Sequence, residues 1–337
     1  MVIQIEFLSM PASKSTPVAL FIFNRPHLTS RLFERVRAAR PGRLIVVADG
    51  ARTSRPGEAE LCEATRKIVT SPDWTCELLT NFSPENLGCK RRMSSGLDWV
   101  FQHCEEAIIL EDDCIPCPSF FAFCSAMLER YRDDSRIMHI SGDNFQGGRR
   151  RGDGSYFFSR YTHSWGWATW RRAWRHYDVD IPSWPSDRKR HWLESFLENP
   201  AEVQYWESIF DRLCRGEIDT WDYQWLFACW QHGGLSILPN VNLITNIGVG
   251  PDATHFKDTY STVGIPTGEL TEFIAPAAIA RDKEADRFTF EEHIGGKQSP
   301  NDAGFLTRIR RSLALRSRLK SILPRSIRNR FRWAARG

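Results

Sequence analysis

Glu111, Asp112 and Asp113 follow directly on the apolar run 107–110 in the stretch AIILEDDCIP. Three adjacent carboxylates repel one another, and none is cheaply buried. The chemistry that suits them is the binding of a hard divalent cation. Mg2+ or Mn2+ takes only one or two protein carboxylates and completes its shell with water and phosphate oxygens. In an extended strand Glu111 and Asp113 share one face and Asp112 takes the other until the backbone turns, and Pro116 brings that turn close. A solvated acidic strand end is the plain alternative for a bare EDD. The apolar lead-in AIIL is what favours a cation that carries a diphosphate. A basic feature fits the same anion: NLGCKRRMSSGLDWVF (86–101) predicts a helix from about Cys89, with Lys90, Arg91 and Arg92 in its first turn. Cations there oppose the helix dipole, a penalty that an anion docked on the free N–H groups reverses. A basic solvated turn is the other reading of that segment.

These groups need a scaffold. VALFIF (18–23), RLIVVAD (43–49), CELLTNF (76–82), AIILED (107–112) and IMHIS (137–141) are short apolar or β-rich runs, and helix-like segments at 28–39, 59–70, 90–103 and 119–132 lie among them. Such alternation predicts an α/β fold with a mostly parallel sheet and helices on both faces. Ligands of such sheets sit beyond the carboxyl ends of the strands. Arg25, Asp49 and Glu111 to Asp113 each fall at such an end, so residues distant in sequence are expected to share one rim.

At 337 residues, the chain is expected to form one main domain plus an appendage. Its 42% hydrophobic and 26% charged content exclude bulk disorder. The net charge of +4 is unevenly spread: 305–337 holds eleven Lys or Arg and no acid, leaving 34 basic against 41 acidic residues elsewhere, a net of −7. The tail is a broken apolar stripe with Arg between, interrupted by Pro324, and suits either an anionic membrane surface or solvent. The first ten residues lack a basic leader and carry Glu6, so no secretory signal is expected. The nine cysteines are odd in number and irregularly spaced, which predicts reduced thiols. GGRRRGDG (147–154) reads as a loop, and ten of the thirteen tryptophans fall between Trp165 and Trp230. They read chiefly as core, with Trp165, Trp167 and Trp170 as candidate platforms for sugar faces.

VALFIFNRP, IVVADG, NLGCKRR, ILEDD, SWGWATWRRAW, TWDYQW and GPDATHF, in that order, resemble the glycosyltransferases of the GT-A fold, of the N-acetylglucosaminyltransferase I type and its bacterial relatives. The resemblance spans about 16–256. It implies a GT-A domain over 16–260, an extension over 261–304 and the basic amphipathic tail at 305–337. It also implies that Arg25 and Asp49 contact the nucleotide, that Lys90, Glu111 and Asp112 serve the sugar nucleotide, and that Asp113 and His255 lie at the metal. Asp222 in TWDYQW matches the catalytic base. An acceptor hydroxyl is a poor nucleophile until a carboxylate takes its proton, and attack opposite the leaving group inverts the sugar.

The implied activity is transfer of a hexose or N-acetylhexosamine from a nucleotide sugar, UDP-linked by preference, to a saccharide or lipid-linked acceptor with Mn2+ or Mg2+. The implied setting is cytoplasmic, with the tail on the inner face of the membrane. A sugar-nucleotide pyrophosphorylase would share the sheet and carboxylates, but no early glycine-rich basic loop is present. A nucleic-acid-binding role for the tail is disfavoured by the acidic body.

Overall fold

The computed structural model describes residues 16–248 and 265–295. The chain divides into two compact units, Met1–Thr289 and Phe290–Gly337. In the second, the described part is a π-helical turn, Phe290–Ile294, where the Gly295 N–H donates to the Phe290 carbonyl at 2.7 Å. His255, with the whole of GPDATHF, and the basic segment 305–337 lie outside the described residues.

In the first unit the predicted alternation is present. Strands β1 (Val18–Ile22), β2 (Arg43–Ala48), β3 (Glu77–Phe82) and β4 (Glu106–Glu111) are joined by helices α1 (Pro26–Ala39), α2 (Glu58–Val69) and α3 (Gly88–His103). A short strand β5 (Cys114–Pro116), helix α4 (Pro118–Arg130) and strand β6 (Ile137–Ser141) follow. Pro26 at the first helical position of α1 needs no N–H partner and sets the helical φ. That fixes Arg25 at the strand-to-helix corner, where its carbonyl accepts from Leu28 and Thr29 at 3.1 and 3.0 Å.

The tryptophan-rich half adds β7 (Tyr156–Ser159), β8 (Trp167–Trp170), β9 (Leu235–Pro239) and β10 (Ile244–Asn246). Its helices are α5 (Arg171–Trp174), α6 (Trp184–Lys189), α7 (Trp192–Phe196), α8 (Pro200–Cys214), α9 (Asp222–Gln231) and α10 (Lys283–Thr289). One eight-stranded sheet runs in the order β3-β2-β1-β4-β8-β6-β9-β7, and β5 pairs with β10 in a small second sheet. The pairs β1–β2, β2–β3, β1–β4 and β6–β9 are parallel, while β8 and β7 run against their neighbours. The sheet is therefore mostly parallel, as expected, with β8 as a reversed strand at its centre.

Both faces of the sheet are covered. Val18, Leu20 and Ile22 enter one core with Leu44, Val46, Ile108 and Leu110. Ala19 and Phe21 enter the other with Ile45, Val47, Ala107, Ile109 and the α3 residues Met93, Leu97, Val100 and Phe101. Burial on both sides is why these strands read as continuous apolar runs rather than as an alternation. The tryptophans follow the bland expectation: Trp167 and Trp170 are fully buried core residues, so neither offers a sugar platform, while Trp165 is only partly buried. Trp167 stacks on Trp221 with ring centroids 5.4 Å apart. The nine cysteines, all among the described residues, are free thiols. No helix among the described residues is long and apolar enough to cross a membrane.

The segment 265–289 is fastened to the outer strands of the same unit. The Ser155 N–H donates to the Ile274 carbonyl at 2.8 Å, and Asp286 accepts from Ser159 Oγ at 2.6 Å and from Arg160 Nε at 3.2 Å.

A buried polar chain crosses the centre of the sheet. Trp225 Nε1 donates to His139 Nδ1 at 3.1 Å, which leaves the His139 proton on Nε2, 2.8 Å from the His163 carbonyl. His163 Nδ1 in turn lies 2.6 Å from Asp143 Oδ1. Burial lowers the His139 pKa to about 3, against the hydrogen bond to the His163 carbonyl, which favours the charged ring. Between about 6.5 and 3 the unfolded chain therefore binds a proton that the fold refuses, so stability falls as pH falls through that window. The loss is on the order of 4 kcal/mol at the acid end. Urea unfolding between pH 6.5 and 4 is expected to show a shallower loss in His139→Gln than in the parent. Equal slopes would remove His139 as the source.

Candidate active site

The strand register builds the rim. Phe21 pairs with Glu111, and Ile22 with Ala48. Arg25, Asp49 and Glu111 to Asp113 thus emerge at one level beyond β1, β2 and β4. The antiparallel strand β8 starts at that same edge, because Trp167 pairs with both Ile109 and Ser141. Its lead-in loop, SWGW, is drawn close to the end of β4: a Cβ on Gly166 would lie 3.2 Å from Leu110.

Arg25 dominates the electrostatics. Its guanidinium holds Asp112 through two nitrogens, Nε at 3.2 Å from Oδ2 and the second on Oδ1, and reaches Asp113 Oδ2 at 3.0 Å. Alternation along an extended strand would separate Asp112 from Asp113, but the backbone turns directly after Glu111, and one cation serves both. Asp112 is 2% exposed. Burial pushes its carboxyl upward and Arg25 opposes the shift, the net being a raised pKa. Burial would weaken the Arg25 charge, yet Asp112 and Asp113 more than offset this and its pKa is raised. Among the described residues Glu111 has no ion pair of its own, and the nearby charge of Arg25 lowers its pKa only in part. Burial first, then Asp113 and Asp112, and with a smaller contribution Asp222, hold its proton on well above the ordinary carboxylate range. Arg25 offsets part of the repulsion among the three carboxylates that the sequence suggests a metal must offset.

Asp113 is more available than Asp112, its side chain 17% exposed, and Glu111 is partly exposed as well. Its neighbour across the small sheet is the β10 exit: the Ile247 N–H donates to the Asp113 carbonyl at 2.9 Å, and Asn246 Nδ2 lies 3.4 Å from Oδ1. Gly248 packs so tightly here that a Cβ would stand 2.1 Å from Asp113 Oδ2, so any side chain at 248 must push Asp113 away.

Asp49 is engaged in another way. Its two oxygens accept from the Gly50 and Leu87 N–H groups, both at 2.9 Å, and from Asn86 Nδ2 and the Gly88 N–H at 3.0 and 3.1 Å. Four donors fill the lone pairs of a carboxylate. Burial raises its pKa against those backbone donors. Asp49 thereby fastens the turn that starts α3, and Gly50 is required because a Cβ would meet the Glu85 backbone at 2.5 Å.

Of the three basic residues in that first turn, Arg92 is buried and bonds the Ala48 carbonyl at 3.1 Å and Asn81 Oδ1 at 2.8 Å, tying the ends of β2 and β3 together. Lys90, two residues earlier and so on the opposite side of the helix, is directed to the far side, 3.9 Å from Asp180. Lys90 and Arg91 line a cleft of about 600 Å3 with Asp98, Tyr177, Asp178 and Asp180.

Asp222 stands at the first position of α9, where a carboxylate suits the helix dipole, and accepts from the Thr220 hydroxyl. Its flanking aromatics are structural: Trp221 and Trp225 lie in the core shared with α3, and Tyr223 meets Trp206 edge-on at 5.6 Å. Partly buried Cys89, in the first turn of α3, feels several of these carboxylates. After burial, the charges of Glu111, Asp222, Asp219 and Asp49 all push its thiol pKa upward. Glu111 lies within electrostatic reach of both Asp113 and Asp222, and Arg25 pairs with its neighbours Asp112 and Asp113.

Asn86, Arg92, Asn246 and Gly248 support this site without any signal strong enough to single them out. Asn86 and Arg92 fall inside the NLGCKRR motif, but their partners lie across the sheet.

The residues define a mostly parallel α/β protein with a carboxylate-rich, arginine-bordered rim at the carboxyl ends of its central strands. No family model matches the chain, and no curated protein does. Among solved structures, it is similar to the galactosyltransferase LgtC in complex with donor and acceptor sugar analogues, at 12% identity, over 86% of this chain and 99% of that one, with a TM-score of 0.33. It is also similar to a cytidylyltransferase from Leptospira borgpetersenii serovar Hardjo-bovis, at 10% identity and a TM-score of 0.29, over 48% of this chain. The chain spans 63% of that cytidylyltransferase, less than two thirds of its length. Neither overlay is close enough to transfer a function.

Proposed function

We propose that this chain is a GT-A-type glycosyltransferase that moves a sugar from a nucleotide-sugar donor to a hydroxyl acceptor, with Asp222 as general base. The observation that carries this reading is the pairing of Arg25 with Asp112 and Asp113 beside Glu111 at one sheet rim, with Asp222 within electrostatic reach of Glu111. A diphosphate needs positive charge, and an acceptor hydroxyl needs a carboxylate within reach; the rim supplies both.

A divalent cation fits the donor set in its sparse form. Among the described residues, no three His, Cys, Asp or Glu side chains stand together as a ready metal cage. Mg2+ and Mn2+ do not require one, since one or two carboxylates suffice when phosphate oxygens complete the shell. Asp113, and Glu111 once it loses its proton, are the residues that would hold such an ion, and His255 is a further proposed ligand. Bound there, the ion would neutralise the departing nucleoside diphosphate. Arg25 orients Asp113 and keeps Asp112 ionised. Asp49 acts through the turn it fastens, which shapes the nucleotide end of the rim. Asp222 accepts the proton of the attacking hydroxyl, and attack from the side opposite the leaving group inverts the sugar.

Thermal unfolding with UDP-, GDP-, CMP- and dTDP-sugars, each with and without Mn2+, tests the reading. One nucleotide class is expected to raise the midpoint in a concentration-dependent, Mn2+-dependent way, and Asp113→Ala is expected to abolish the Mn2+ component. No response to any nucleotide sugar would overturn the proposal.

A further inference from the structure

The cleft beside α3 is lined by none of the carboxylate cluster, yet its wall is tied to the helix that carries the candidate base. Its floor is one face of the helix, with Lys90, Arg91, Ser94, Ser95 and Asp98 at helical spacing, and its opposite wall is the strap Tyr177 to Asp180. At about 600 Å3 it lies inside the range of roughly 300 to 1,000 Å3 found for small-molecule sites.

Three observations tie the cleft to Asp222. The Val179 carbonyl accepts from Gln224 Nε2 at 3.4 Å, two residues beyond Asp222 in α9. Leu87, also in the lining, precedes Gly88, where a Cβ would lie 3.8 Å from Asp219 Oδ2. After burial, the charge of Asp222 is the next largest cause of the raised pKa of Tyr177, followed by those of Asp98 and Asp178.

The lining also states what it would accept. Two cations, Lys90 and Arg91, face three carboxylates, Asp98, Asp178 and Asp180, so the cleft has no surplus of positive charge for a phosphate. Donors and acceptors alternate around it, the pattern that suits a ligand rich in hydroxyl groups, each of which both donates and accepts. Among the described residues the buried Tyr177 hydroxyl has no hydrogen-bond partner, while its ring is held by stacking on Trp174 at 4.2 Å. A rigid, unsatisfied hydroxyl of this kind is a group left for a ligand.

We infer that this cleft is the acceptor subsite and that it takes a neutral saccharide, with the nucleophilic hydroxyl presented toward Asp222. The inference rests on the transferase reading above and moves Lys90 from the diphosphate to the acceptor side. It also excludes the diphosphate group of a lipid-linked acceptor from this cleft.

The test is saturation-transfer NMR on the full chain with lactose, maltose and N,N′-diacetylchitobiose, set against glucose 1-phosphate and a glucuronic-acid disaccharide. Neutral saccharides are expected to bind in preference to the anionic ones. Ser95→Trp, which fills the cleft from α3, is expected to abolish their signals, and Tyr177→Phe to weaken binding by about tenfold, the loss of one hydrogen bond. Binding of none of the neutral saccharides, preference for the anionic ones, or binding that survives Ser95→Trp would each overturn the inference. Nucleotide-sugar thermal shifts are recorded on the same protein. Shifts that persist while saccharides fail to bind sink the cleft assignment alone, and their absence sinks the transferase reading whatever the saccharides do.

Discussion

Arg25→Met is expected to destabilise the protein by about 3–5 kcal/mol, because it removes the only side-chain cation in contact with the buried Asp112 among the described residues while leaving the carboxylates in place. The effect has a definite pH dependence. Without the guanidinium, Asp112 would hold its proton to still higher pH in the fold, further above its value in the unfolded chain. Carboxyl groups with raised folded pKa values favour the fold most when both states are protonated, and that advantage is lost as pH rises. The deficit of Arg25→Met against the parent is therefore expected to grow from pH 5 to pH 8, read as the separation of their urea unfolding curves. Asp112→Asn in the same background is expected to recover part of the loss, since an amide needs no counter-charge. Mn2+ is expected to stabilise Arg25→Met more than the parent, because Asp113 is freed from its partner at 3.0 Å. A deficit that does not change with pH would mean that Arg25 acts by packing rather than by charge.

Asp222→Asn is expected to retain the thermal response to nucleotide sugar and to lower the release of nucleoside diphosphate by about 10²–10⁴-fold, the range for loss of a positioned general base. The amide keeps the shape of the side chain and can still meet the Thr220 hydroxyl, so the fold should tolerate it. A carboxylate that served only to cap α9 would show the reverse pattern, with reduced stability and unchanged turnover. Full turnover in Asp222→Asn would remove it as the base and return the search to Glu111, which lies within its electrostatic reach.

Much of the scaffold was legible in the residues alone. Five apolar runs and four helix-like segments correspond to β1 to β4, β6 and α1 to α4, with ends displaced by a residue or two. The signal was strong because both faces of the central strands are buried, and because helix periodicity and Pro26 act over a few residues. The convergence of Arg25, Asp49 and the acidic triplet was legible for the same reason: parallel strands in register put their carboxyl ends on one edge. The reversed strand β8 was not. WATW is buried on both sides and carries no mark of direction, so only its pairing with β4 and β6 reveals it.

Sequence by itself determined which residues end the central strands, since strand ends and local turns depend on patterns a few residues long. Tertiary structure decided what each of them does there. Arg25 meets Asp112 from 87 positions away, and Asp49 turns its carboxylate to Asn86 and Leu87, 37 and 38 positions on, rather than to open solvent. Lys90 and Arg92, two apart in one basic run, part company because a helix turns about 200° between them, sending one to Asp180 and the other to the ends of β2 and β3. Charge neutralisation and hydrogen bonding are satisfied by whichever groups the packed chain brings within about 3 Å, and that proximity exists only once the sheet has formed.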